Sequence, residues 1–156
     1  METRNEKFRR LAELRLGRIL QTMNLIANLS APQYVYTSED ITELFNMYQT
    51  MGNAAQTYFQ GLTRYNEMPS SFMFTNTVTV APELTSAHAR FRRLAENRMS
   101  RVLRDLRLLV NLSDKSNYSY TDSEVTQLFD AYTNKGREIA ALFAPLTTDF
   151  HFKPKD

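Results

Sequence analysis

The chain has 156 residues, of which 42% are apolar and 23% charged, with a net charge of +2 and no cysteine. This length suits one domain with a core of its own, and the missing cysteine excludes disulfides, thiolate metal sites and cysteine nucleophiles. The net charge is too small to name a partner, so the placement of charges must carry that question.

The N-terminal "METRNEKFRRLAE" is charged and lacks the apolar run of a secretory signal. No window approaches the roughly 20 apolar residues of a membrane span. A cytoplasmic protein without a membrane partner is the expectation.

A first helix is predicted from Phe8, Ala12, Leu16, Ile19, Met23 and Ile26, which share one face at helical spacing. It is expected to end near "NLS", where Asn28 favours a turn. A second helix starts at Thr37, with Asp40 three residues on as a short capping box and Tyr36 stapled to Ile41. Leu44, Phe45, Tyr48 and Phe59 extend its apolar face. Gly52 also falls on this face, which predicts a close helix–helix contact or a break.

A linker bounded by Pro69 and Pro82 follows, and its "FMFTNTVTV" alternates like a strand. The chain then repeats itself. "FRRLAE" at 8–13 recurs at 91–96, "NLS" recurs, and Tyr-x-Tyr-Thr recurs one residue out of step. Phe91, Ala95, Met99, Val102, Leu106 and Leu109 predict the third helix. Thr121 and Glu124 form a capping box for the fourth, with Tyr120 stapled to Val125 and Gly136 matching Gly52. The tail "DFHFKPKD" carries a Phe-x-Phe like that of Phe72 to Phe74, so the two segments are expected to pair as a small two-stranded ribbon.

The expected fold is therefore all-α: one domain spanning 1–156, with repeat one at 6–60, a linker at 61–88, repeat two at 89–144 and a tail at 145–156. Each repeat is predicted to be an αα-hairpin, and the two hairpins to pack about an approximate twofold as a four-helix arrangement.

Arginine placement points to function. Arg93, Arg101, Arg104 and Arg107 form a basic strip on the third helix, joined by Arg10 and Arg18 from the first. Guanidinium forks match phosphate geometry. Tyr34 and Tyr118 are the candidate base-stacking residues beside them. Arg15 and Arg98 fall beside the apolar face and are expected in structural ion pairs or on carbonyls. The Arg9–Glu13 and Arg92–Glu96 spacings predict ion pairs within the helix.

The only histidines, His88 and His151, read as linker and tail residues. No metal-ligand spacing, nucleophile motif or phosphate loop occurs, so neither catalysis nor a metal or cofactor is expected. The leading expectation is a non-enzymatic accessory protein binding RNA or a ribonucleoprotein. The alternative is a protein–protein adaptor or assembly subunit whose duplicated hairpin replaces a homodimer, and a small-molecule pocket on the twofold is a third option.

Phe91, Leu94, Ala95, Glu96 and Arg98, then Leu108, Asn111, Leu112 and Ser113, then Asn117, Tyr118, Tyr120, Thr121, Glu124, Val125 and Phe129, form a longer pattern. In it the chain resembles small prokaryotic helical proteins of no known activity that carry the pattern once. The first copy departs in its loop, where "APQYVYT" stands for "DKSNYSYT". The resemblance implies that a single-copy relative dimerises to build what one chain builds here.

Overall fold

A computed structural model describes residues 1–61, 65–144, 150 and 152–155. Four α-helices make the body: α1 (Arg4–Ala27), α2 (Ser38–Thr57), α3 (Thr85–Val110) and α4 (Asp122–Ala140). Each runs into one 3-10 turn, so "NLS" closes both α1 and α3. No helix among the described residues is long and apolar enough to cross a membrane.

Capping chemistry sets three of the four starts. Thr3, Thr37 and Thr121 each accept the N3 backbone N–H, and the N3 carboxylates of Glu6, Asp40 and Glu124 accept the cap N–H in return. Aspartate is long enough to close the box at α2. α3 starts without a side-chain cap, after a 3-10 turn opened by Pro82. Its first turns include His88, so that residue belongs to a helix and not to the linker.

The apolar faces meet in one core, where Ile19, Met23, Ile26, Met99, Leu103 and Leu106 have no exposure at all. The partners differ from a pair of closed hairpins. The backbones of α1 and α2 barely approach each other, nor do those of α3 and α4; α1 packs on α3 and α4, and α2 packs on the same two. The halves of the chain therefore interlock, each helix covering its stripe with helices from the other half.

The contacts come in matched pairs. Arg15 donates to the Leu108 carbonyl at 2.8 Å and Arg98 to the Leu25 carbonyl at 2.7 Å, which sets α1 and α3 antiparallel. Tyr120 stacks on Phe8, and Tyr36 lies over Phe91. These cross-half ring contacts take the two tyrosines that local staples were expected to hold. Tyr48 and Tyr132 stack at 4.0 Å and 5° between planes, each hydroxyl donating to the other's backbone carbonyl. Gly52 and Gly136 make room for those rings without breaking either helix: a Cβ on Gly136 would lie 2.6 Å from the Tyr48 ring, and one on Gly52 would collide with Tyr132. The rings fill the seam between α2 and α4, where a small-molecule pocket was an option.

The linker forms no strand, and no strand occurs among the described residues. It runs extended along α3 in the groove shared with α2. Phe72 N–H donates to Ser100 Oγ and Phe74 N–H to the Glu96 carboxylate, both at 2.8 Å, so these donors are taken by α3 side chains and not by a partner strand. Phe150 and Phe152 stand exposed. The expected ribbon is thus not formed between the described phenylalanines, and His151 lies outside the described residues.

Candidate nucleic-acid interface

The arginines divide by what they touch. Arg92 donates two bonds to Asp40, at 3.1 and 2.7 Å, while its guanidinium lies 5.0 Å from the Phe74 ring centre. Arg9, the corresponding residue of the first half, pairs with Glu124. The expected pairs within the helices are therefore replaced by pairs between halves. Glu96 is turned to the Phe74 N–H, and Glu13 accepts no hydrogen bond from the described residues. Arg15 and Arg98 bind carbonyls rather than carboxylates, on the opposite long helix rather than on α2 or α4.

Asp40 has no solvent exposure. It accepts from His88 Nε2 at 2.7 Å, the Thr37 N–H at 3.1 Å, Asn76 Nδ2 at 3.1 Å and Arg92. Burial alone would raise its pKa, but the bonds from His88, the Thr37 backbone, Asn76 and Arg92 outweigh it and hold the carboxyl below the ordinary aspartate range. Asn5 occupies the matching place in the first half and donates to Glu124 at 2.9 Å. This network went unread in the sequence. The available signal is that Asn5 and His88 both stand three residues ahead of an identical Phe-Arg-Arg. With every buried polar side-chain atom partnered among the described residues, the cluster is structural.

The remaining arginines face outward. Arg90, Arg93, Arg101, Arg104 and Arg107 line the exposed side of α3, and no exposed carboxylate interrupts them from Arg90 to Arg107. Arg107 is partly committed, donating to the Met68 carbonyl at 2.7 Å and so tethering the linker. Arg10 is ion-paired with Glu2 at 2.8 Å, on the N-terminal part of α1. The side chains of Arg18, Arg93, Arg101 and Arg104 make no salt bridge or hydrogen bond with the described residues.

Three of these four bear on one carboxylate. Burial lifts the Asp105 carboxyl above the ordinary range, although the charges of Arg18 on α1 and of Arg104 and Arg101 on α3 pull it down. One half-buried carboxylate thus faces three arginines, and the outer face of the α1–α3 pair keeps a positive excess.

No family model, curated protein or solved structure matches this chain.

The two candidate stacking tyrosines are less available than the arginines. Tyr34 is half-buried against the core. Tyr118 is half-buried with the Lys7 ammonium 5.6 Å from its ring centre, and it borders an open polar recess of about 660 Å³ with Tyr58, Asn111 and Lys115. Neither lies among the outward arginines of mid-α3. Among the described residues no cluster of histidine, aspartate and glutamate is arranged to hold a metal.

Proposed function

We propose that this chain is a non-enzymatic helical accessory protein that binds RNA or a ribonucleoprotein through the outer face of α1 and α3. The observation that carries the reading is the unpaired set Arg18, Arg93, Arg101 and Arg104. The fold uses Arg9, Arg10 and Arg92 in ion pairs, Arg15 and Arg98 as carbonyl ties and Arg107 as a linker tether, whereas these four make no such contact with the described residues. Arg93 and Arg104 are eleven residues apart on one helix, a rise of about 16 Å, which spans several phosphates of a strand at roughly 6 Å or less each.

The halves are read as copies of one unit related by an approximate twofold. Arg18 and Arg101 are counterparts on it, whereas Arg104 and Arg107 answer to Gln21 and Asn24. A nucleic acid would therefore lean on the second half. The resemblance to single-copy prokaryotic proteins fits this reading, since a dimer of one unit would offer the symmetric arginines without the extra pair.

Replacing Arg18, Arg101 and Arg104 together with glutamine tests it. Binding to a labelled single-stranded RNA should weaken by about 10- to 100-fold at moderate salt, and the slope of log affinity against log salt should fall by about 2, at roughly 0.7 per lost phosphate contact. Helicity should not change, because none of the three side chains makes a hydrogen bond or salt bridge with the described residues. An unchanged salt slope would sink the arginine-face reading and favour an adaptor whose partner is a protein.

A further inference from the structure

We infer that the groove between α1 and α4 is the seat of the chain's own tail, with Phe150 and Phe152 lying along α1 as Phe72 and Phe74 lie along α3. The inference rests on the correspondence of halves proposed above, and not on the arginine reading. Its ground is that one of two matching grooves is filled and the other is open.

The filled groove lies between α2 and α3. There Phe72 is 6% exposed, Phe74 leans on Phe91, and the linker backbone is held at Met68, Phe72, Phe74 and Thr75. The open groove, about 180 Å³, is lined by Phe8, Ala12, Leu16, Leu128, Glu13 and Gln127. These answer in order to Phe91, Ala95, Met99, Leu44, Glu96 and Glu43.

The open side shows what is missing. Leu44 is fully covered, whereas Leu128 is only half-buried. Glu96 and Glu43 receive linker N–H groups, whereas Glu13 receives none. Ser100, which receives the Phe72 N–H, answers to Gly17, above which a Cβ would meet nothing within 4 Å. A volume of 180 Å³ is below the 300 Å³ or more of most small-molecule sites and suits side chains of a peptide.

The tail supplies the matching chemistry. Phe150 and Phe152 are 76% and 87% exposed, rings 4.9 Å apart, an aromatic pair without cover. Burying two such rings is favourable, each removing on the order of 150 Å² or more from water. Lys153 follows the ring pair in the chain, and the open groove carries the carboxylate of Glu13.

Chain length permits the seat. Phe143 packs against Phe91 and Tyr36, at the end of the bundle where α1 finishes. Seven residues from Phe143 to Phe150 span up to about 23 Å extended. The return along α1 from Ala27 to Gly17 needs about 15 Å.

Thr75 touches Glu43 in the filled groove, so Lys153 and Gln127 should be neighbours in the other. The full chain, which has no native cysteine, is made as Gln127→Cys with Lys153→Cys, and as Thr126→Cys with Lys153→Cys for a control on another face of α4. A short bismaleimide is added to dilute protein without nucleic acid, with circular dichroism confirming the fold of each variant. The first pair should link within one chain at least tenfold faster than the control, and adding Phe150→Ala and Phe152→Ala should abolish the difference. Equal rates in the two pairs overturn the seat. Links formed only between chains overturn the assignment to the chain's own tail and point to exchange between copies.

Discussion

Replacing Asp40 with alanine should destabilise the protein by about 3–5 kcal/mol in urea unfolding, the cost of stripping one partner from a buried ion pair. The carboxylate is wholly buried, and its removal takes the acceptor from His88 and the Thr37 N–H and the charge partner from Arg92, which keeps only its bonds to Asn76. It also removes half of the capping box that starts α2. Against the 5–15 kcal/mol typical of a domain, this is a large share.

The corresponding change in the second half should do much less. Glu124 is 9% exposed, but its partner Arg9 has a side chain 64% exposed, so water screens the pair and readily replaces it. Glu124→Ala should cost about 1 kcal/mol, mostly from the cap. Two residues at matching positions thus differ several-fold in effect, and equal losses would show that depth of burial does not govern these pairs.

Asp40 also predicts a pH dependence. Its folded pKa is depressed, so the unfolded chain binds the proton more readily as the solution is acidified. The contribution is fully present above the ordinary aspartate pKa of about 4 and disappears as pH falls through the lower folded value. Glu43 and Glu124, likewise held below the ordinary range, act in the same sense. The parent should lose stability steeply below about pH 4, and the Asp40→Ala variant less steeply over the same interval.

The helices themselves were legible because apolar residues recur at helical spacing in all four, and at Thr37 and Thr121 a cap with its N3 acid added a second signal for α2 and α4. Gly52 and Gly136 could be read as points of close approach because they fall on the buried face. What the letters do not show is which helix covers which. An amphipathic stripe states that a face is buried, not whose side chains bury it, so Arg9 beside Glu13 looks like a local pair although Arg9 in fact reaches Glu124 across the halves. The linker misled for a related reason. Alternation in "FMFTNTV" marks an extended chain with one covered side, and side chains of α2 and α3 satisfy its N–H groups as well as a strand would.

Among the candidate site residues, Arg93, Arg101, Arg104 and Arg107 share the polar side of the third helix on the wheel, and Arg18 matches Arg101 in the repeat. Arg107, Arg10 and the two tyrosines could not be set apart from them, since tethering by a carbonyl, pairing with Glu2 and partial burial are properties of the folded chain.

The tyrosine seam offers a sharper test of how the halves hold together. Tyr132→Ala should cost about 3–5 kcal/mol, since it removes a fully buried ring, its stacking on Tyr48 and the 2.6 Å bond from its hydroxyl to the Tyr48 carbonyl. Gly52→Ala should cost about 1–3 kcal/mol despite alanine's better helix propensity, because the added Cβ collides with the Tyr132 ring. That ring cannot swing away while it is stacked on one face and bonded at its far end. In the Tyr132→Ala background the obstacle is gone, so the same glycine change should become neutral or gain up to about 1 kcal/mol. The cycle should therefore show a coupling of about 1–3 kcal/mol between α2 and α4, read from four unfolding curves. Gly136→Ala and Tyr48→Ala should reproduce it from the other side. Additive losses in both cycles would mean that the glycines act through the backbone of their own helices, and that the seam is not what locks the two halves.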